Sequence, residues 1–145
     1  MEIFETIRRD HEKQRLLMKI LISTSGDSES RRQYFAELKE ELQAHAAAEE
    51  RHFYKTLMRS DRTLEQSRHG IHEHHEIDEL IAVLDETEMS SPAWLHYMKQ
   101  LREKVLHHLE EEEKEVFQQA GHVLSGVEKR DLADDFEEEK QEHLS

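Results

Sequence analysis

The sequence predicts an all-α protein, an up-down-up-down four-helix bundle with a short fifth helix at its C-terminus. Three observations predict it. Apolar residues recur every three or four positions through four long segments, the spacing that gives a helix one apolar face. One Pro and four Gly in 145 residues leave few breakers of long helices. Shifting the chain by 63 residues superposes Leu17 on Leu80, Leu21 on Leu84, Tyr34 on Tyr97, Leu38 on Leu101 and Leu42 on Val105, so two helical hairpins are copies of one another. A chain of this length makes one domain. Residues 1–145 are therefore read as a single domain of two hairpins, about 1–60 and 61–122, followed by a helix over 125–143.

The first helix runs from about Glu2 to Ile22, with Phe4, Ile7, Met18 and Leu21 on one face, and stops in STSGDSES. The second runs from about Ser30 to Met58, turning Phe35, Leu38, Leu42 and Phe53 inward. Thr63 followed by Gln66 is a capping-box signal for the third, which carries Ile71, Ile77, Ile81 and Leu84 to about Thr87. SSP at 90–92 supplies a Ser cap and a Pro at the first helical position, opening a fourth helix that continues to about Gln119. Ser125 with Glu128 is a second capping box and starts the last helix, whose Leu132 and Phe136 need a surface to dock on: the bundle, or a second copy in a homodimer. Long helices joined by short turns pack antiparallel.

Composition narrows the chemistry. The net charge of −14 repels phosphate backbones and anionic membrane surfaces, so neither nucleic acid nor membrane is expected as a partner, and cations are. The absence of Cys removes disulfides, thiolate zinc sites, iron–sulfur clusters and cysteine nucleophiles together. No apolar run approaches the ~20 residues of a membrane span and no signal-peptide pattern opens the chain, which makes the cytoplasm the expected location. Twelve His among 145 residues ask for a reason.

The His-x-x-x-Glu spacing puts both side chains on one helix face, where they can grip a cation from the side. It occurs six times, from His45, His69, His72, His75, His107 and His108, so periodicity must choose among them. In the fourth helix Met98, Leu101, Val105, His108, Glu112 and Val116 form one stripe, whereas His107 and Glu111 fall beside Glu103, Lys104 and Lys114 on a solvated face. The same test aligns His45 and Glu49 with Leu38, Leu42 and Phe53, His11 with Ile7 and Met18, and His74 with Ile77 and Ile81. The 63-residue shift also superposes His11 on His74, His45 on His108 and Glu49 on Glu112.

Polar residues repeated at core-facing positions are not explained by amphipathic phase alone. A single buried His–Glu pair is commonly just a hydrogen bond, but four His and two Glu converging on one core bury carboxylates at several kcal/mol each unless something neutralises them. Two divalent cations would do so, each taking two imidazoles, with Glu49 and Glu112 bridging between them. Imidazole nitrogen with carboxylate oxygen suits iron, manganese or zinc. His52 and its repeat partner Glu115 stand on a neighbouring line, either orienting a ligand or lying exposed at the end of the bundle.

A His on helix one, His-x-x-x-Glu on helix two, a His on helix three and His-x-x-x-Glu on helix four resembles the hemerythrin-like, or HHE cation-binding, family. The segments DHEKQRLL, HAAAEERHFY, HEIDELIAVL and HHLEEEEKEVF look like its four signatures in order and cover essentially the whole chain. The resemblance implies a carboxylate-bridged non-haem diiron centre held by His11, His45, Glu49, His74, His108 and Glu112, meeting oxygen, hydrogen peroxide or nitric oxide. The sequence departs from the classical oxygen carriers of that family at two places. Gly70 stands where a fifth His is expected, and the carboxylate falls at Glu112 where they place an Asp one residue further on, here Glu113. Gly70 removes bulk beside the metal and leaves a position for water, a small ligand or another residue.

The expected function is therefore a diiron protein of oxidative or nitrosative stress that binds or reacts with one of those small ligands, whether or not it turns them over as an enzyme. The alternative is an iron-handling or sensing module that acts through a protein partner, and an acidic interaction protein without metal is a third reading. They part on turnover, on metal-dependent association, and on whether a chelator softens the fold.

Overall fold

The first helix, α1 (Ile3–Ile22), enters through a capping box in which Glu2 and Glu5 satisfy each other's backbone N–H groups, and ends before a turn where Gly26 takes the one positive φ of the chain. The computed structural model describes all 145 residues, Met1–Ser145. Helix α2 is capped by Ser28 and runs Glu29–Ala48, then continues without a break through a π-helical turn, Glu49–Tyr54, and a last α-turn, Lys55–Leu57. Helix α3 (Leu64–Glu86) returns along it. Helix α4 opens at Ser91 and Pro92, runs Pro92–Glu111, passes through a second π-turn, Glu112–Val116, and finishes at Phe117–Val123. Helix α5 (Gly126–Leu144) is opened by the Ser125–Glu128 capping box.

Helices α1 and α2 pair as one hairpin and α3 and α4 as the other, in the all-α up-down-up-down arrangement; α5 packs across α1 and α2. Its Leu132 and Phe136 are buried against Phe53, Phe117 and their neighbours, so the apolar face of α5 is covered by its own bundle. None of the helices is long and apolar enough to cross a membrane.

Two apolar clusters form the core. One lies toward the α1–α2 turn and includes Leu21, Leu38, Ile81, Trp94 and Leu101; the other lies at the opposite end and includes Ile7, Phe53, Leu57, Phe117 and Phe136. Arg31 ties the first end together by donating to the carbonyls of Thr24 and Met89 while its guanidinium lies 4.5 Å over the Trp94 ring. Between the two clusters runs a polar band.

One capping detail differs from the sequence reading. Thr63 precedes α3, but its hydroxyl makes no cap; it donates to the carbonyl of Leu57 and so fastens the end of α2. The competition is between two unsatisfied helix ends, and the buried carbonyl takes the hydroxyl.

Candidate metal centre

The polar band consists of His11 from α1, His45 and Glu49 from α2, His74 from α3, and His108 and Glu112 from α4, every one of them buried. These six side chains are brought together as the periodicity and the repeat require. Their donor atoms form two groups that share Glu49: His11, His45, Glu49 and Glu112 in one, Glu49, His74 and His108 in the other. Glu112 also spans both, with Oε1 3.2 Å from His11 Nε2 and Oε2 3.8 Å from His108 Nε2. Glu49 approaches His45 Nε2 at 3.3 Å through Oε2 and His74 Nε2 at 3.0 Å through Oε1.

What surrounds the six decides their orientation. Each imidazole gives its Nδ1 to a carboxylate: His11 to Glu113 at 2.6 Å, His45 to Asp10 at 2.7 Å, His74 to Glu50 at 2.6 Å and His108 to Glu73 at 2.7 Å. This fixes the ring and turns every Nε2 inward, the arrangement that metal-binding histidines take. The inward atoms then lack partners. Nε2 of His11, His45 and His108, both oxygens of Glu49 and Oε1 of Glu112 are fully buried without a hydrogen bond, because the close approaches among them are misaligned for one. Charge attraction at 3.0–3.8 Å remains.

Ionisation follows. Burial opposes charge on His108, yet Glu49 and Glu73 outweigh it and push the imidazole up to about 10. Burial and the adjacent Glu49 charge hold Glu112 above the usual carboxylate range, while the surrounding imidazoles overcome burial and draw Glu49 well below it. Two carboxylates side by side are tolerated only when protons or cations share the space. A donor set of four imidazoles and two carboxylates fits a pair of borderline divalent cations, which would replace those protons.

Three features were not anticipated from the residues. The first is the outer carboxylate shell, whose signal was present: the 63-residue shift that pairs the ligands also superposes Asp10 on Glu73 and Glu50 on Glu113. The second is the pair of π-turns, which begin at Glu49 and at Glu112, equivalent positions of the two hairpins. Here backbone bonds run five residues back, as in Lys55 N–H to Glu50 O and Phe117 N–H to Glu112 O, and such turns gather at functional sites.

The third is Tyr54. Regular helical spacing sets a residue five after Glu49 roughly 140° around the axis, away from the site; the π-turn brings Tyr54 back to it. Its hydroxyl donates to Glu112 Oε2, and burial with the nearby Glu112 and Glu49 charges holds the phenol well above its usual range, so it stays protonated. The ring lies directly over Gly70, where an added Cβ would fall 2.5 Å from the Tyr54 Cζ and hydroxyl. Of the occupants expected in the space that Gly70 leaves, water, a small ligand or another residue, the structure supplies the last, the Tyr54 ring.

His52 meets Glu139 on α5 at 3.3 Å and Glu115 is exposed; neither touches the six residues. A third carboxylate–imidazole group, Asp10, Glu41 and His45, already contains a cation, since Lys140 Nζ donates to Asp10 at 2.7 Å and Glu41 at 2.8 Å. Access from outside is narrow. A cavity of about 10 Å³, room for one water, touches His45, His74 and His108 and is walled by Leu42, Ile77 and Val105.

The chain is similar to known proteins. The sequence profile described as the hemerythrin HHE cation binding domain matches residues 2–120. The crystal structure of a hemerythrin HHE cation binding domain-containing protein from Mycobacterium kansasii superposes with a TM-score of 0.87 over 99% of this chain and 87% of its own, at 20% identity. A curated protein of Nostoc sp. named DNA nickase is 29% identical over 140 residues, which are 97% of this chain. The match takes in only 39% of that relative's length.

Proposed function

Because the chain belongs to the hemerythrin HHE cation-binding domain family, we propose that His11, His45, Glu49, His74, His108 and Glu112 hold two iron ions and that this pair binds or reacts with oxygen, hydrogen peroxide or nitric oxide under stress. The observation that carries the reading is the set of inward Nε2 and carboxylate atoms without partners, each imidazole clamped from behind by its own acid. His11 and His45 would hold one ion and His74 and His108 the other, since the two groups of donor atoms divide in this way and share Glu49. Zinc or manganese would fit the same donors; iron is chosen on the family relationship.

When bound, an iron pair supplies one-electron redox steps and a place for a small ligand. The chain's own contribution is to select and to steady. The cavity of about 10 Å³ favours a small visitor by its size, and Asp78 on its lining works against an anionic metabolite. Tyr54 holds a proton at Oη and directs it at Glu112 Oε2, fixing that carboxylate and keeping a phenolic proton within the site. Asp10, Glu50, Glu73 and Glu113 hold the imidazole rings in place while charge in the centre changes.

The test is to load the protein with ferrous iron without air and add each ligand in turn. Peroxide or nitric oxide consumed faster than by free ferrous iron, with the excess lost in Glu112→Ala, supports a reacting centre. Reversible binding without turnover supports the sensing or iron-handling alternative. No response to any of the three ligands rejects the proposal. The nicking activity in the name of the Nostoc relative is not carried over, since a net charge of −14 works against a polyanionic substrate.

A further inference from the structure

Two further His-x-x-x-Glu pairs, of which the buried centre uses only Glu73, face each other on neighbouring helices. His69 and Glu73 lie one turn apart on α3; His107 and Glu111 lie one turn apart on α4. Glu111 stands between the two imidazoles, with Oε1 3.2 Å from His69 Nε2 and Oε2 3.2 Å from His107 Nε2. Glu73 points both ways. Its Oε1 accepts from His108 Nδ1 at 2.7 Å, inside the protein, while its Oε2 lies 3.5 Å from His69 Nε2 on the outside. The donor atoms of His69, Glu73 and Glu111 all lie within 4.8 Å of one another. Exposure falls along the line, from 67% at His107 and 50% at His69 to 26% at Glu111 and 4% at Glu73.

Ion pairs of this kind on a helix surface stabilise little and by themselves mark nothing. The repeat supplies the second observation. Asp10 is the equivalent of Glu73 in the first hairpin, holding His45 as Glu73 holds His108. The outer oxygen of Asp10 faces a cation that the chain itself provides, the Lys140 ammonium, shared with Glu41. In the second hairpin no ammonium is paired with Glu73: the counterpart of Glu41 is Lys104, which turns to Glu76 at 2.8 Å, and the outer oxygen of Glu73 meets His69, with Glu111 and His107 beside it, donors for a divalent ion rather than an ammonium.

We propose that His69, Glu73 and Glu111, with His107 at the rim, form an exterior divalent-cation site, the exchangeable counterpart of Lys140, which captures an ion before it passes Glu73 into the buried centre. The loading role rests on the function proposed above; the exterior site itself does not.

The experiment uses the full chain and ferrous iron under anaerobic conditions, comparing wild type with His69→Ala combined with Glu111→Gln. Both residues are at the surface, and unchanged circular dichroism checks that the variant folds. Equilibrium binding should show a weaker class of site beyond the buried pair, reduced at least about tenfold in the variant. Rapid mixing of metal-free protein with iron should show slower filling of the buried pair in the variant, with the same final occupancy. Equal weak binding and equal filling rates in the two proteins would overturn the proposal. A weak class lost in the variant, in a protein whose buried residues take up no iron, would instead reject the diiron reading while leaving the exterior site standing.

Discussion

Replacing Lys140 with Met should unsettle the candidate metal centre, whose six residues Lys140 never touches. Its side chain is 8% exposed and its ammonium bridges Asp10 Oδ1 at 2.7 Å and Glu41 Oε1 at 2.8 Å, and Asp10 Oδ2 in turn receives His45 Nδ1 at 2.7 Å. Removing one partner of a buried ion pair costs about 3–5 kcal/mol, because the other charge stays behind. The lower end applies here. Lys13 Nζ lies 3.7 Å from Glu41 Oε1 and Gln14 donates to Glu41 Oε2, so part of the lost compensation is replaced. A loss of about 3 kcal/mol lowers the melting temperature of a chain this size by roughly 6–12 °C. Because Asp10 is then free to leave His45, metal affinity should fall by about ten- to a hundredfold. Urea unfolding of the metal-free protein measures the first effect and competitive chelation the second. Adding Glu41→Gln should recover part of the stability by removing one stranded charge. A Lys140→Met protein within about 1 kcal/mol of wild type, with unchanged metal affinity, would refute the linkage between α5 and the centre.

Other consequences follow from the same geometry. Tyr54→Phe leaves Glu112 Oε2 without its donor and should cost about 1–3 kcal/mol in urea unfolding, with helix content unchanged. Gly70→Ala should be destabilising in thermal unfolding, since a Cβ 2.5 Å from a fully buried ring costs about 1–3 kcal/mol and outweighs the gain of about 1 kcal/mol that Ala brings to a helix. Stripping the cations with a chelator should lower the melting temperature, a cation at a hundred times its dissociation constant being worth about 2.7 kcal/mol to the folded state. Equal melting with and without chelator would point to the interaction protein without metal.

The parts of the fold that follow regular helical spacing were legible in the residues. His108 and Glu112 lie on the stripe of Leu101 and Val105, His107 and Glu111 lie off it, and the structure buries the first pair and leaves the second outside. Helix ends written in Ser and Pro appear where expected, at Ser91–Pro92 and Ser125. Tyr54 was not legible, because the π-turn that aims it at Glu112 changes the very period used to assign faces. The outer acids were legible only in part. Asp10 beside His11 and Glu50 beside Glu49 look like solvated neighbours on one helix, and their partners, His45 and His74, become visible only when helices pack. The 63-residue repeat held that information, since a surface acid has no reason to recur with a ligand.

The central claim is that the six inward residues hold a pair of metal ions. Elemental analysis of protein purified without air, reported as iron, zinc and manganese per chain, tests it most directly. Close to two irons per chain, falling sharply in Glu49→Ala because Glu49 is shared by both groups of donors, is the predicted result. A chain that carries no metal, even after reconstitution with ferrous iron, would contradict it.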